Sequence, residues 1–281
     1  MEISGMNENP LQAGQAVIDE LLCIADTKWV LGHWYIKVMQ NGRALTDFNA
    51  LAAMSQDELG HTRAIFSLLE QNNPGAADYL EFKRAREQIH SMAMLDAPPR
   101  NWGDFIITAL LAEQALRLLF DYAPARHAGL AALSAKCRQE CAFHALYFDG
   151  SLEGFQGADR RDAAEALALR FPMALEWFAH QGGGDPVHEA GYRSETLAAL
   201  HAAFLDQCRR RLLKFLPEAG AALAAQAASP GIRWDPDRRR PMATAVPAAL
   251  WEFILPTNEH AVMCRRPLEI SAADSIRFTT V

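Results

Sequence analysis

The sequence lacks several features that would assign the chain to a specialised class of protein. No stretch of 18 residues is free of charge, and the first ten residues hold Glu2 and Glu8 without a basic segment followed by an apolar one. We therefore expect neither a transmembrane helix nor a signal peptide. The five cysteines are few and odd in number, which favours reduced thiols over a disulfide framework. A cytoplasmic location is the resulting expectation.

The chain also lacks an excess of positive charge and strand-like alternation of apolar and polar residues. Its net charge of -7 argues against general nucleic-acid binding. With 281 residues, of which 50% are hydrophobic, the chain is long enough to bury a sizeable core. Because apolar residues recur at helical rather than strand spacing, the sequence predicts an all-α protein.

Apolar periodicity and chain breaks predict four long helices that form a bundle. They run over Leu11–Gln40, Ala44–Glu70, Trp102–Tyr122 and Ala125–Gly154. Further helices are predicted over Asp159–Ala179 and Ser194–Leu216, and a short, charged, solvated helix over Tyr79–Met94. We assign residues 11–216 to a helical bundle domain. Residues 217–281 form an irregular C-terminal extension that packs on the bundle or on a partner, with Arg238, Arg239 and Arg240 in a solvated loop.

Polar residues in the predicted bundle helices have the spacing of metal ligands. Glu58 and His61 lie three residues apart and share a face of the second helix. Glu113 interrupts the apolar third helix, and His144 lies in the fourth. Ferritin-like bundles hold a pair of metal ions with carboxylates and Glu-x-x-His motifs that project into the core. Glu58, His61, Glu113 and His144 are therefore candidate metal ligands.

Two helices complete this pattern only in part. The first helix offers Asp26 as an acidic candidate, with Lys28 two residues later. The fourth has Cys141 three residues before His144, and Glu140 four residues before it. An inward-facing Lys28 could replace a metal's charge by pairing with Glu58 or Glu113, which would make a structural ion pair.

Two other interpretations of these residues remain open. Glu58, His61, Glu113 and His144 could form a hydrogen-bonded polar network without a metal, since buried polar groups need partners. Cys137, Cys141 and His144 share a helix face and could instead bind zinc with a fourth ligand. Small buried cysteines are equally consistent with core packing.

The ordered set of motifs resembles the phenylacetyl-CoA epoxidase subunits, also called phenylacetic acid catabolic proteins. The likeness covers about Ile18 to Gly154 and rests on these elements: Leu31-Gly32-His33, Asp57-Glu58-Leu59-Gly60-His61 with Arg63, Glu113, and Glu140-x-x-x-His144. The resemblance implies a ferritin-like fold and either a catalytic subunit with a di-iron site or a structural partner whose site has decayed.

By this resemblance Trp29 stands at the carboxylate position of the first helix and Cys141 at that of the fourth. The loss of two carboxylates places the chain nearer the structural subunit, as a divergent member. The resemblance implies a multicomponent monooxygenase acting on an aromatic or acyl-CoA thioester, with a related ferritin-like catalytic subunit as partner, or self-association.

Two alternative functions follow from the same residues. The chain could be a catalytic non-haem iron oxygenase that holds one iron or two with a reduced ligand set, joined by Asp26 or Glu140; with a degenerate site it would need no cofactor. It could also be a stand-alone helical binding protein with a pocket among Trp29, Trp34 and Phe143. We expect no nucleic acid and no membrane among its partners.

Overall fold

The computed structural model describes residues 14–71, 75–178, 184–224 and 233–254. In these ranges the long helices are α1 (Gln15–Val38), α2 (Leu45–Glu70), α4 (Trp102–Leu119), α5 (Ala128–Gly154), α6 (Gly157–Glu176) and α8 (Leu197–Phe215). The shorter helices are α3 (Ala76–Phe82), α7 (Pro186–Glu189), α9 (Gly220–Ala224) and α10 (Ala248–Ile254). The all-α, ferritin-like fold expected from the sequence is confirmed.

Local sequence explains where the bundle helices begin. The Asn101 side chain accepts a hydrogen bond from the Asp104 N–H at the start of α4, and the His127 ring accepts one from Leu130 N–H at the start of α5. Thr196 caps α8 through the N–H of Ala199. Such side-chain caps satisfy N–H groups that the first helical turn leaves unpaired.

Helices α1 and α2 pack closely because Gly32 has no side chain. The Gly32 carbonyl accepts a hydrogen bond of 2.9 Å from Ser55 Oγ on α2. A Cβ atom placed on Gly32 would lie 3.0 Å from Leu59 Cγ and 3.3 Å from Glu58 Cβ. This contact fixes the position of Glu58, so the helix pair determines the geometry at the centre of the bundle.

The prediction of a solvated helix over Tyr79–Met94 is wrong beyond α3. After Phe82 the chain forms only single 3-10 turns at Arg86–Gln88 and Ala93–Asp96. Ile89, Ser91 and Met92 are almost completely buried. The many charged residues of this segment predict a solvated helix. Arg84, however, turns inward and pairs with a buried carboxylate on α1.

The arginine run of the C-terminal extension is anchored in the protein, which corrects the prediction of a solvated loop. It lies in a hairpin of two short antiparallel strands, β1 (Trp234–Asp235) and β2 (Arg240–Pro241). Arg239 pairs with Glu20 of α1 at 2.6 Å, and Arg240 pairs with Asp96 at 2.5 Å. Acidic partners contributed by distant parts of the chain, Glu20 buried and Asp96 half-buried, therefore hold the hairpin on the bundle.

Some predictions concern residues outside the described ranges. They include residues 11–13 of the first predicted helix, the breaks at residues 72–74 and 182–183, the alanine-rich stretch after Ala224, and residues 255–281. The division into domains at residues 216 and 217 stays a prediction. Within the described residues, none of the helices combines the length and apolar character that crossing a membrane requires.

Candidate functional site

A buried cluster of potential ligands lies at the centre of the bundle. It contains Glu58 from α2, Glu113 from α4, and Cys141 and His144 from α5. One ligand atom of each residue lies within 4.8 Å of the corresponding atoms of the other three. The structure therefore brings together three of the four main candidates, and places Cys141 among them.

The Lys28 side chain of α1 enters this cluster and is 1% exposed. Its Nζ donates a hydrogen bond of 2.7 Å to Glu58 Oε1, and it lies 3.8 Å from Cys141 Sγ. It also lies 3.3 Å from His61 Nδ1. The predicted pairing of an inward-facing Lys28 with Glu58 is confirmed.

His61 occupies the edge of the cluster between Lys28 and the outer face of α5. Its Nε2 bonds Glu140 Oε2 at 2.5 Å, and its Nδ1 lies 3.5 Å from Glu58 Oε1. Glu140 is partly exposed and also pairs with Lys136 at 2.9 Å. Glu140 thus holds His61 in place from the periphery and is not one of the four convergent groups.

His144 and Glu113 form the other half of the cluster. His144 Nδ1 bonds Glu113 Oε1 at 2.7 Å, and its Nε2 bonds Asp57 Oδ2 at 3.1 Å. The Tyr35 hydroxyl donates to the same Glu113 oxygen at 2.8 Å. Sequence reasoning missed Asp57 and Tyr35. Tyr35 follows Lys28 by seven residues, two helical turns, and that spacing was a usable signal.

Three sequence candidates lie elsewhere than expected. Trp29 packs edge-on against His33 and Phe66, so the residue that α1 directs into the cluster is Lys28. Asp26 pairs with Arg84, at 2.5 and 2.8 Å, apart from the convergent group. Among the described residues Cys137 is not part of that group, so the structure does not bring together the zinc set of Cys137, Cys141 and His144.

The positive and negative groups of the cluster stabilise one another's charged forms. Burial by itself would raise the pKa of Glu113, but His144 and Lys28 outweigh it and lower that pKa to about 2. Burial would lower the pKa of His144, but Glu113, Glu58 and Asp57 raise it to about 9. A protonated His144 and Lys28 thus balance the carboxylates of Glu58 and Glu113.

The pKa values of His61 and Cys141 are also raised. At His61, burial and the Lys28 charge oppose protonation, whereas hydrogen bonds to Cys137 and Glu58 favour it and raise the pKa to about 10. Burial raises the pKa of the Cys141 thiol well above its usual value. Cys141 is therefore a neutral thiol at physiological pH, and neutral thiols are poor metal ligands and nucleophiles.

These residues do not fit a di-iron centre. Glu58 Oε2 and Glu113 Oε2 are buried without hydrogen-bond partners among the described residues, and this feature, like the convergence of four potential ligand atoms, favours a cation between them. However, α1 directs the Lys28 ammonium against Glu58, and α5 contributes the Cys141 thiol, where ferritin-like di-iron bundles have carboxylates. Adding two dications would place Lys28 against them in a buried site, which Coulomb repulsion strongly disfavours.

The aromatic pocket proposed among Trp29, Trp34 and Phe143 is not formed. Trp29 and Trp34 are buried in the core, whereas Phe143 is 67% exposed on α5. The helical period placed all three on apolar segments, but it did not show that Phe143 faces away from the bundle.

The family model for the phenylacetic acid catabolic protein matches residues 1–229. No curated protein matches the chain.

Proposed function

The chain belongs to the phenylacetic acid catabolic protein family, and from this premise we propose that it is a structural subunit of a multicomponent monooxygenase. Membership implies a part in phenylacetate catabolism. In the proposed role, a related ferritin-like subunit carries the oxygen chemistry on a phenylacetyl-CoA-type thioester. This chain supports that subunit and performs no redox step itself.

The Lys28–Glu58 ion pair carries this proposal. The lysine Nζ lies 2.7 Å from one residue of the Glu-x-x-His motif and 3.3 Å from the other. An ammonium in that position supplies the positive charge that the carboxylates need, and it supplies no open coordination position. In the proposed role the motif therefore stabilises the bundle and does not hold a metal that binds dioxygen.

The neighbouring contacts support the same role. Tyr35 and His144 both bond Glu113 Oε1, and Asp57 and Glu140 bond the outer nitrogens of His144 and His61. Each imidazole is thus held between acidic partners rather than left with a free nitrogen. A hydrogen-bonded network of this kind, which holds both imidazoles at each ring nitrogen, rigidifies a core and favours one packing.

Metal loading tests the proposal directly. The purified chain is incubated anaerobically with ferrous iron, desalted, and analysed for bound metal. We expect less than a tenth of an equivalent, and the same low value for a His61→Ala, His144→Ala double variant. Stoichiometric iron that disappears in the double variant would overturn the proposed structural role.

A designed variant serves as the positive control. Lys28→Glu with Cys141→Glu restores a carboxylate to α1 and to α5 beside the unpartnered oxygens of Glu58 and Glu113. We expect this variant to bind iron and to melt at a higher temperature when iron is added. Lys28→Met with Cys141→Ser, which changes the same positions without adding carboxylates, should not respond.

Reconstitution tests the supporting role. We expect the chain to co-purify with a related bundle subunit, and the His61→Gln, His144→Gln variant to sustain monooxygenase turnover in proportion to the complex it forms. Loss of turnover while the complex stays intact would indicate that this chain takes part in the oxygen chemistry, which would contradict the proposal. A stable homo-oligomer that is active without a second subunit would also contradict the proposal.

A further inference from the structure

The outer face of α5 carries apolar residues that the described part of the chain leaves exposed. Phe143 and Leu146 lie on this face, and each is 67% exposed. Ala142 and Gly150 beside them are exposed as well. The outer face of a helix in a globular protein usually carries charged and polar residues instead. An apolar surface of this kind indicates contact with another molecule.

Six exposed residues form one stripe along this face, and the steps between them alternate between three and four residues. In chain order they are Lys136, Gln139, Phe143, Leu146, Gly150 and Glu153, which we call the α5 stripe. Residues at this spacing stay on one side of a helix, and the same spacing allows two helices to pack along each other. The α5 stripe extends over about 26 Å, at 1.5 Å of rise per residue.

The α5 stripe has the same spacing in both chain directions about a point midway between Phe143 and Leu146. Two antiparallel copies related by a two-fold axis at this point therefore match position for position. Phe143 of each copy then lies opposite Leu146 of the other, Gln139 opposite Gly150, and Lys136 opposite Glu153. A surface that is complementary to itself in this way is what a two-fold symmetric dimer requires.

The charges at the ends of the α5 stripe complement each other in this antiparallel arrangement. The Lys136 side chain is 66% exposed and bonds Glu140 of its own helix at 2.9 Å, and its ammonium has three donors in all. Glu153 is exposed and forms no ion pair among the described residues. A parallel pair of helices would place Lys136 against Lys136, which like-charge repulsion disfavours. The charges therefore favour the antiparallel pairing of two copies.

The beginning of α2 adds apolar area next to the α5 stripe. Leu45 is 75% exposed and Phe48 is 45% exposed. The Tyr147 hydroxyl donates a hydrogen bond of 3.0 Å to Asp47 Oδ1, which holds this end of α2 beside the C-terminal half of the stripe. A stable dimer buries about 800 Å² per copy, so area beyond a single helix face is needed.

We propose that the α5 stripe is the interface between two copies of this chain, packed antiparallel about a two-fold axis between Phe143 and Leu146. Four large apolar side chains, two from each copy, form the centre of the interface. Two pairs of Lys136 with Glu153 of the second copy lie at its ends. Central apolar contacts with a charged rim are the usual arrangement of a specific protein interface.

The dimer does not depend on the proposed structural role. The α5 stripe shares no residue with the buried cluster of Lys28, Glu58, Glu113, Cys141 and His144. A dimer without oxygenase activity is compatible with that role, and a monomer would not contradict it. Either proposal can therefore fail alone.

Sedimentation of the purified full chain at micromolar concentrations tests the interface. We expect a dimer of about 62 kDa, twice the chain mass of 31.1 kDa. Leu146→Arg should raise the dimer dissociation constant at least tenfold and keep the helical circular dichroism signal, because residue 146 is exposed within one chain. Leu169→Arg, the same change at an exposed leucine of α6, should leave the dissociation constant unchanged.

Three outcomes of this experiment would overturn the proposal. The first is a chain that stays monomeric at all these concentrations. The second is a dimer that Leu146→Arg leaves as stable as the parent dimer, which would use another face. The third is a chain that is monomeric alone and binds a related bundle subunit through the α5 stripe, because the occupant would then be that subunit.

An exchange of charges tests the antiparallel register. Lys136→Glu places two glutamates opposite each other in its own dimer, and Glu153→Lys does the same with two lysines. A mixture of the two variants pairs opposite charges at both ends of the stripe. We expect the mixed dimer to form at least tenfold more tightly than the dimer of either variant alone. A mixed dimer that is no tighter would overturn the proposal.

Cross-linking provides a second test of the register, in a Cys264→Ser background in which the remaining four cysteines are buried. Lys136→Cys and Glu153→Cys proteins should form a disulfide with each other when mixed. Each variant alone should cross-link much more slowly, because copies of one residue lie roughly 26 Å apart at opposite ends of the stripe. Equal rates in the mixture and in the separate variants would overturn the antiparallel dimer.

Discussion

The Lys28 ammonium illustrates how one residue sets the electrostatics of a bundle core. Burial alone would lower the pKa of Lys28, but the Glu58 and Glu113 carboxylates around it keep that pKa well above its usual value. The lysine is therefore charged at every physiological pH. Its neighbours are arranged around a permanent cation in the way that metal ligands surround an ion.

Removal of this cation should destabilise the protein severely. In Lys28→Met the Glu58 carboxylate stays buried without its partner, and breaking a buried ion pair costs about 3–5 kcal/mol. Urea unfolding should show this loss, and Lys28→Met with Glu58→Gln should recover part of it. A Lys28→Met protein as stable as the parent would show that the Lys28–Glu58 ion pair contributes nothing to the free energy of unfolding.

The two histidines of the cluster should make the free energy of unfolding fall as the pH becomes alkaline. Their folded pKa values of about 9 for His144 and about 10 for His61 lie above the ordinary value of 6.5. Their contribution is therefore complete below pH 6.5 and is lost as pH rises through 9 and 10. Urea midpoints measured from pH 6 to 10 should fall over this window.

A variant separates this effect from other alkaline titrations. At pH 7 the His144→Asn variant should be less stable than the parent. Between pH 7 and pH 10 its free energy of unfolding should fall by less than that of the parent. Equal slopes for the two proteins would contradict the assignment. On the acid side, the Glu113 pKa of about 2 gives the opposite sign: its contribution is present above pH 4.5 and is lost as pH falls towards 2.

At the scale of elements, periodicity predicted the helices well because their apolar faces are long. The predicted Ala44–Glu70 and Ala125–Gly154 compare with the observed Leu45–Glu70 and Ala128–Gly154. The segment after Phe82 was misjudged because its charged residues find partners far away in the chain. Periodicity describes one helix at a time, so it cannot show that Arg84 will meet Asp26.

The same reasoning explains what the sequence revealed of the cluster. Glu58, Glu113 and His144 were found because each is polar on an apolar helix. The family resemblance implies Trp29 at the carboxylate position of α1, whereas the structure directs Lys28 into the cluster. A shift of one residue on a helix rotates a side chain by about 100°, and no local signal fixes that rotation. Packing against Gly32 supplies the missing constraint.

Two helical glycines should respond oppositely to the same substitution. At Gly32 a methyl group would lie 3.0 Å from Leu59 Cγ, and overpacking should outweigh the better helix propensity of alanine for a net loss of about 1 kcal/mol. At Gly60 nothing lies within 4 Å of the added Cβ, so Gly60→Ala should gain about 0.5–1 kcal/mol. Urea midpoints of both variants check the difference, and a gain at Gly32 would contradict the tight packing of α1 on α2.

At the scale of the whole molecule, ion pairs join segments that are far apart in sequence. Arg240 is fully buried and bonds the Ser91 carbonyl at 2.7 Å as well as Asp96. Arg239 bonds Glu20 near the start of α1. The hairpin, the segment after α3 and the first helix are therefore held as one unit.

Loss of this connection should free the hairpin while the bundle stays helical. Arg240→Met leaves Asp96 without its partner and the Ser91 carbonyl without its donor, for an expected loss of about 3–5 kcal/mol. Limited proteolysis should show faster cleavage near residues 233–247, with an unchanged helical circular dichroism signal. Arg210→Met, which breaks an exposed pair with Asp206, should change stability by less than about 0.5 kcal/mol. Equal protease resistance of Arg240→Met and the parent would contradict this role.

The cation at the centre of the bundle is the side chain of Lys28, and this has a consequence for folding in the cell. A bound ion stabilises a fold only in proportion to its free concentration, whereas the Lys28 ammonium is synthesised with the chain. In the proposed metal-free role, folding needs no insertion step and no delivery protein. The chain should accumulate equally in iron-starved and iron-replete cells, and prolonged dialysis against a chelator should leave its melting temperature unchanged.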